Sequence, residues 1–151
     1  MKTRRPRQGF TLIEVLIVVV IMAVLAATII PQFTSSTEDA KESALKFNLH
    51  TLRNQIELYK VHHAGTLPTI TAGALPQLTS PTDATGAIGT GANYPYGPYV
   101  LNALPENPYN GLTTVVAATA VPPTAEASSA GWQYHAASGR IWANTLQFLD
   151  F

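Results

Sequence analysis

The first pattern along the chain is a long apolar run. From Phe10 to Ile30, every residue except Thr11, Glu14 and Thr28 is apolar. At about 1.5 Å of rise per residue, a helix of this length spans roughly the 30 Å of bilayer hydrocarbon. Because an unpaired backbone is very costly in lipid, a helix is nearly forced there. The run therefore predicts a transmembrane helix over residues 10–30.

A second pattern follows, in which apolar residues recur at helical spacing. Leu45, Leu49, Leu52, Ile56 and Tyr59 are separated by four, three, four and three positions. This spacing predicts an amphipathic helix over residues 31–63, whose single apolar stripe needs a cover. A coiled coil is the alternative, but the stripe spans only about two heptads.

The end of this helix is expected near His63. Ala64-Gly65 offers a left-handed C-terminal cap, and the Leu67-Pro68 pair cannot continue a helix. His62 and His63 are adjacent, so their side chains point about 100° apart on a helix. They are poorly placed to chelate one metal together, and we expect both at a solvated helix end.

The sequence predicts a loop-rich head over residues 64–151. Turn residues are frequent over 64–131, and the rings around Tyr94 to Tyr99 alternate with prolines and glycine, which suits a loop that packs rings onto the head. Leu112 to Ala117 is typical of a strand, and Trp132 to His135 with Arg140 to Ala143 of a hairpin. We expect an α+β fold in which a small antiparallel sheet covers the helix stripe. The apolar residues 146–151 are expected to dock on the head, and a contact with another subunit is the alternative.

Composition and charge restrict the function. The formal net charge is zero, but four of the nine basic residues lie in the first seven positions. Removal of residues 1–9 would leave five basic against nine acidic residues, a net charge of about −4. An acidic surface argues against nucleic acid as a partner. With no cysteine, the chain can form neither a disulfide nor a thiolate metal site.

Glu14 is the unusual residue of the apolar run. A charge at the centre of a membrane helix costs roughly 2.5 to 3.5 kcal/mol on insertion scales, so an acid in the membrane indicates a function. Either this carboxylate has a partner, or it lies near the interface and reaches water.

The residues around Glu14 resemble a known signal. A basic leader precedes Gly9-Phe10-Thr11-Leu12-Ile13-Glu14, and the apolar run follows; the leader's charges are Lys2, Arg4, Arg5 and Arg7. This arrangement resembles the N-terminal signal of type IV pilins and of the pseudopilins of type II secretion. The resemblance implies that a prepilin peptidase cuts between Gly9 and Phe10, that residues 1–9 are a leader, and that Phe10 is then N-methylated.

The same resemblance implies a role in assembly. In that family, the acid at Glu14 pairs with the N-terminal amine of a neighbouring subunit, and the apolar helices form the centre of a filament. The proline at Pro31 is associated with helix curvature or local melting, although a simple helix break at the membrane exit is the alternative. The implied partners are related pilin subunits, the prepilin peptidase, the assembly platform of the inner membrane, and lipid.

The basic leader also predicts orientation. By the positive-inside rule, the N-terminus is cytoplasmic and everything after Pro31 lies on the far side of the membrane. The resemblance implies that this membrane is the bacterial inner membrane, and that the head lies on its periplasmic side before it joins a periplasmic or extracellular filament. An ordinary signal peptide, with Val24-Leu25-Ala26 as a weak cleavage site, and a simple one-pass anchor are the alternatives.

No cofactor, metal site or catalytic residue is expected. Major pseudopilins often carry a calcium site, but the acids after residue 64 are widely scattered, whereas calcium needs clustered oxygen ligands; these acids are Asp83, Glu106, Glu126 and Asp150. Catalytic motifs are absent from the sequence, so we do not expect an enzyme. The predicted function is a structural filament subunit; a membrane-anchored monomeric binding protein, such as an adhesin or a DNA-capturing minor pilin, is the alternative. The sequence leaves open whether the filament is a pilus or a pseudopilus, whether the subunit is major or minor, and what is secreted.

Overall fold

A computed structural model describes residues 9–127 and 129–149, apart from the side chains of Pro31 and Thr34. The leader prediction for residues 1–8 and the docking of residues 150 and 151 lie outside the described residues. The elements in chain order are α1 (Leu12–His62), α2 (Pro76–Thr79), β1 (Val115–Ala117), β2 (Trp132–His135), β3 (Arg140–Ala143) and a 3-10 helix (Leu146–Phe148). The chain divides into two compact units, one up to Ala40 and one from Lys41.

The first unit carries the apolar part of α1. All large apolar side chains from Phe10 to Ile30 are exposed, with exposed fractions between 46% and 85%. By length and hydropathy, α1 is a candidate membrane span. The helix backbone continues through Pro31, and the local melting of the helix on assembly stays a prediction.

The second unit has its own hydrophobic core, built on the predicted stripe of α1. The five stripe residues are at most 2% exposed; they are Leu45, Leu49, Leu52, Ile56 and Tyr59. They are covered by Leu75 and Leu78 of the α2 region and by side chains of the sheet, such as Trp132 and Tyr134. Burial of one such aliphatic side chain is worth about 1.5 to 3 kcal/mol. The predicted amphipathic helix is therefore confirmed, and its cover includes α2 as well as the sheet.

The predicted α+β fold is confirmed, with one correction to the sheet. The hairpin is antiparallel, with Trp132 opposite Ala143 and His135 opposite Arg140. By contrast, β1 pairs parallel to β2, with Val115 opposite Trp132, so the three-stranded sheet is mixed rather than antiparallel. Parallel neighbours need a long connection, and the chain between Ala117 and Trp132 supplies it.

The C-terminal end of α1 matches the predicted cap. The helix ends at His62, and Ala64 and Gly65 have φ angles of 51° and 90°. The Gly65 N–H donates to the Lys60 carbonyl over 2.8 Å. This bond, together with the left-handed residue before Gly65, is the Schellman arrangement, which satisfies a carbonyl that the helix end leaves unpaired.

Three asparagines hold the long loops of the head. The Asn107 amide donates to the Gly131 carbonyl, and the Asn110 amide donates to the Ala130 carbonyl. The Asn144 amide donates to the carbonyls of Ala127 and Ala130, each over 2.7 Å. Within the described residues, no buried side-chain nitrogen or oxygen lacks a hydrogen-bond partner. Hydrogen bonds from side-chain amides, rather than regular secondary structure, therefore hold these loops to the sheet.

Candidate functional site

The start of α1 is a capping box formed by two residues of the predicted signal. Thr11 precedes the first helical residue, and Glu14 lies three positions later. The backbone N–H and the hydroxyl of Thr11 donate to Glu14 Oε2 over 2.8 and 2.7 Å. In return, the Glu14 N–H points to Thr11 Oγ1 at 3.3 Å. Each residue thus satisfies a donor that the helix start would otherwise leave unpaired.

This cap gives Glu14 a local role that sequence reasoning missed. The cap could have been predicted from the sequence, because a threonine followed three residues later by a glutamate is the sequence signature of a capping box. Both described bonds to the carboxylate end on Oε2. Among the residues that the structure describes, none donates a hydrogen bond to Oε1. The cap therefore fixes the carboxylate against the first helical turn and leaves one oxygen open.

The predicted processing positions lie directly before this cap and are open to solvent. Gly9 has no neighbouring atom within 4 Å of the place where a side chain would start. The side chain of Phe10 is 85% exposed. Gly9, Phe10 and Glu14 are thus brought together at one helix end. Pro31 lies 17 positions beyond Glu14, about 25 Å along an ideal helix, and does not belong to the same site.

His63 differs from its prediction. It is only 1% exposed, so the prediction of a solvated helix end is wrong for this residue. Its Nδ1 lies 2.7 Å from the Tyr59 carbonyl, and its Nε2 lies 3.0 Å from Thr82 Oγ1. Its ring stacks on Tyr59 with 3.9 Å between centroids. The burial arises because the loop that contains Thr82 folds over the helix end, a contact between residues that are distant in sequence.

The neighbouring His62 is exposed, as predicted, and contacts the same aromatic loop. Its Nδ1 lies 3.0 Å from the Tyr99 hydroxyl. The ring of Tyr96 meets His63 edge-on at 5.4 Å, and Tyr99 meets Tyr59 at 5.5 Å. The prediction that this loop packs its rings onto the head is confirmed for Tyr96 and Tyr99. The cluster is a structural closure of the helix end.

Metal-binding side chains are dispersed over the described part of the chain. Over residues 9–127 and 129–149, no three or more side chains of the histidine, cysteine, aspartate and glutamate types lie together as a metal site would need. Asp83 is occupied by its own turn, where Oδ1 accepts from the Thr85 N–H over 2.8 Å. The expectation that the head has no calcium site stays a prediction.

Comparison with known proteins places these features in a family. Residues 4–30 match the family model described as the prokaryotic N-terminal methylation motif, a range that includes Gly9, Phe10 and Glu14. The chain is 32% identical over 109 residues to the type II secretion system core protein G of Vibrio cholerae, which covers 72% of this chain and 70% of the relative. The corresponding protein of Klebsiella pneumoniae is 30% identical over 103 residues, 68% of this chain and 69% of the relative.

The chain belongs to the type II secretion system core protein G family. These relatives are major pseudopilins. Membership of their family therefore favours a pseudopilus over a pilus, which the sequence alone left open. This pseudopilin is a filament subunit with a prepilin motif, and its relatives are structural proteins rather than enzymes. No solved structure matches the chain.

Proposed function

We propose that this pseudopilin is cut between Gly9 and Phe10 by a prepilin peptidase, methylated on Phe10, and assembled through α1 into the filament of a type II secretion system. One observation carries the proposal. The large apolar side chains of residues 10–30 are exposed on every side of the helix, and the run begins with a capped acid. Such a surface needs lipid before assembly and other helices of the same kind afterwards.

The proposed assembly contact is electrostatic. A cut after Gly9 creates an amine on Phe10, and opposite charges attract far more strongly in a low-dielectric environment than in water. The open Oε1 of Glu14 is available to the amine of a neighbouring subunit while Oε2 keeps the cap. The cap survives the cut, because its donor is the Thr11 N–H and the cut breaks the preceding peptide bond. Pairing of this kind would set the axial step between subunits.

The proposal includes the cellular setting. The basic leader orients the unassembled subunit with its N-terminus in the cytoplasm and its head in the periplasm. An inner-membrane assembly platform then lifts the subunit from the lipid into the filament. The head has a structural role and performs no catalysis, and Pro31 gives local freedom to the helix backbone where it leaves the membrane.

Mass spectrometry of the subunit from sheared filaments tests the processing step. The expected chain begins at Phe10 and carries one methyl group on its amine. A Gly9→Leu variant, which alters the residue before the cut, should retain residues 1–9 and stay in the membrane fraction. An unmethylated chain that begins near Thr28 would instead identify an ordinary signal peptide and overturn the proposal.

A pair of substitutions tests the role of Glu14. Glu14→Ala removes the charge and the two bonds that the carboxylate accepts from Thr11, and we expect loss of incorporation into filaments of the unaltered subunit. Thr11→Ala is the matched control, since it weakens the cap by about 0.5 to 2 kcal/mol but keeps the carboxylate. Incorporation of the control should be largely retained. If Glu14→Ala enters filaments as well as the unaltered chain does, the pairing is wrong.

A further inference from the structure

In the described part of the head, two charged side chains make neither a hydrogen bond nor an ion pair. Among the described aspartates, glutamates, lysines and arginines, most are engaged; for example, Glu42 pairs with Lys46, and Glu57 with Lys60. Over the described residues, no hydrogen bond or ion pair involves the side chain of Arg140 or that of Glu106. Both residues are exposed. The described part of the head therefore presents one exposed cation and one exposed anion that have no hydrogen-bond or ion-pair partner.

Arg140 lines an open cleft that contains a second arginine. The cleft has a volume of about 500 Å³ and lies between α1 and the β2–β3 hairpin, with Arg53, Ser138 and Trp142 also in its lining. The Arg53 Nη2 and Nε donate to the Ile141 carbonyl over 3.1 and 3.3 Å, which fixes the guanidinium against β3. The cleft thus holds two guanidinium groups, one of them fixed in place.

The two arginines are close enough to affect each other. Burial and then the positive charge of Arg140 lower the pKa of Arg53 from its ordinary value. Among the described residues that line the cleft, Glu57 is the acid, and it accepts from Lys60 Nζ at 3.2 Å. A guanidinium presents a planar fork of donors that matches a carboxylate. The chemistry of the cleft therefore suits a carboxylate from outside the subunit.

The unpaired acid lies on the other side of the same helix. The Glu106 carbonyl accepts from Asn48 Nδ2 over 3.0 Å, which places this residue beside Asn48. Asn48 and Arg53 are five positions apart, so they lie about 140° apart around the helix and about 7.5 Å apart along it. The buried stripe of α1 lies between them. The acid and the cleft therefore occupy opposite edges of one head.

We propose that, in the filament, the cleft formed by Arg53, Ser138 and Arg140 of one subunit binds the Glu106 carboxylate of the next copy. The contact joins two different patches, and such head-to-tail contacts generate rings or open helical filaments. Each subunit offers one cleft and one acid, so the contact repeats without a mismatch. This inference rests on the proposed function, because it requires that the chain forms a filament.

Charge reversal tests the contact in cells that express the full chain. Arg140→Glu and Glu106→Arg should each reduce sheared filaments by about tenfold or more, because like charges across an interface oppose association. The double variant restores opposite charges and should recover most of the filament. Gln147→Glu, which adds an acid at another exposed position of the head, is the control and should assemble normally. Equal amounts of unassembled subunit in the membrane show that each variant folds.

Site-directed cross-linking gives an independent measurement. The natural chain has no cysteine, so Arg140→Cys combined with Glu106→Cys introduces only two thiols. A short bifunctional thiol reagent is preferable to direct oxidation, because a disulfide needs Cα atoms within about 7 Å. In sheared filaments, the double variant should give a ladder of dimers, trimers and larger species. Either single variant should give no ladder.

The outcomes separate this contact from the proposed function. If the unaltered chain forms filaments but the double variants neither recover assembly nor give a ladder, the contact is wrong and the filament function stands. If the unaltered chain forms no filaments in cells that contain the complete secretion system, the proposed function fails and the contact fails with it.

Discussion

Up to Ala40, the large apolar side chains of α1 are exposed, whereas from Lys41 onward a stripe of apolar side chains on the same helix is almost completely buried. Leu16 is 54% exposed, and Leu52 is 0% exposed. Both residues are leucines in a regular helix, and they differ in what surrounds them. In the first unit the cover must come from lipid or from other subunits, whereas in the second it comes from the same chain.

This difference assigns stability and assembly to separate parts of one helix. Residues from Lys41 onward have a core that includes the sheet and α2. Residues 10–30 instead have an exposed apolar surface. Substitutions in the two parts should therefore affect different measurements: the free energy of unfolding for the head, and membrane retention and filament formation for the first unit.

Removal of the apolar part of the first unit should have the largest effect. A chain that begins at Gln32 lacks the whole apolar run, so we expect complete loss of membrane retention and of filament formation. The head should still fold, because its core lies beyond Lys41. Cell fractionation and urea unfolding followed by tryptophan fluorescence measure the two properties, since both tryptophans, Trp132 and Trp142, are in the head. If the shortened chain were insoluble and showed no cooperative unfolding, the assignment of stability and assembly to separate parts of α1 would be contradicted.

A matched pair of leucine substitutions sharpens the comparison. Leu52→Ala should lower the free energy of unfolding of the head by about 2 to 5 kcal/mol, because it leaves a cavity in a close-packed core. Leu16→Ala should change it by less than about 0.5 kcal/mol. Both are measured by urea unfolding of the full chain in detergent. Similar losses from the two variants would show that the first unit contributes to the stability of the head.

The amide contacts of the head should have an intermediate effect. Asn144 is 4% exposed, and its Oδ1 accepts from the Ala127 N–H and from Gln133 Nε2. Asn144→Ala leaves buried donors and acceptors unpaired, so we expect a loss of about 1 to 3 kcal/mol in the free energy of unfolding. Asn54→Ala, at an exposed position of α1, is the control and should be nearly neutral. Equal stability of the two variants would argue against this role of the amides.

Lowering the pH should have the smallest effect on stability, and the effect should be confined to the loop over the C-terminal end of α1. Hydrogen bonds from the Thr85 hydroxyl and then its N–H hold the pKa of Asp83 below its ordinary value of about 3.9. The lowered pKa means that this contribution to stability is complete above the ordinary value and is lost as the pH falls through the lowered one. The protection of the amides of residues 82–99 against hydrogen exchange, relative to the intrinsic exchange rate at each pH, should fall below about pH 4. In Asp83→Asn, this change at low pH should be absent; its persistence would assign it to another group.

Local patterns predicted much of this molecule, and contacts between distant residues explain what they missed. The stripe from Leu45 to Tyr59 and the hairpin around Gly139 follow from periodicity and turn residues, and the structure confirms both. The parallel pairing of β1 depends on how residues 118–131 cross the head, which no local pattern specifies. The burial of His63 depends on Thr82, 19 positions away.

At the N-terminal end of α1, by contrast, local motifs were sufficient to predict which residues lie together. Gly9, Phe10 and Glu14 were predicted from their place in a motif, and the structure brings them to one exposed helix end. The capping box of Thr11 and Glu14 also follows from a sequence pattern, a threonine with a glutamate three positions later. A residue can cap its own helix and still offer an oxygen to a neighbour.

Helical reconstruction of the sheared filament by electron cryomicroscopy tests the central claim most directly. The account predicts that residues 10–30 of neighbouring subunits pack together at the filament centre, with Glu14 beside the methylated amine of Phe10 from another subunit and the heads outside. Filaments held together by the heads alone, with the apolar helices free of contacts with one another, would contradict it.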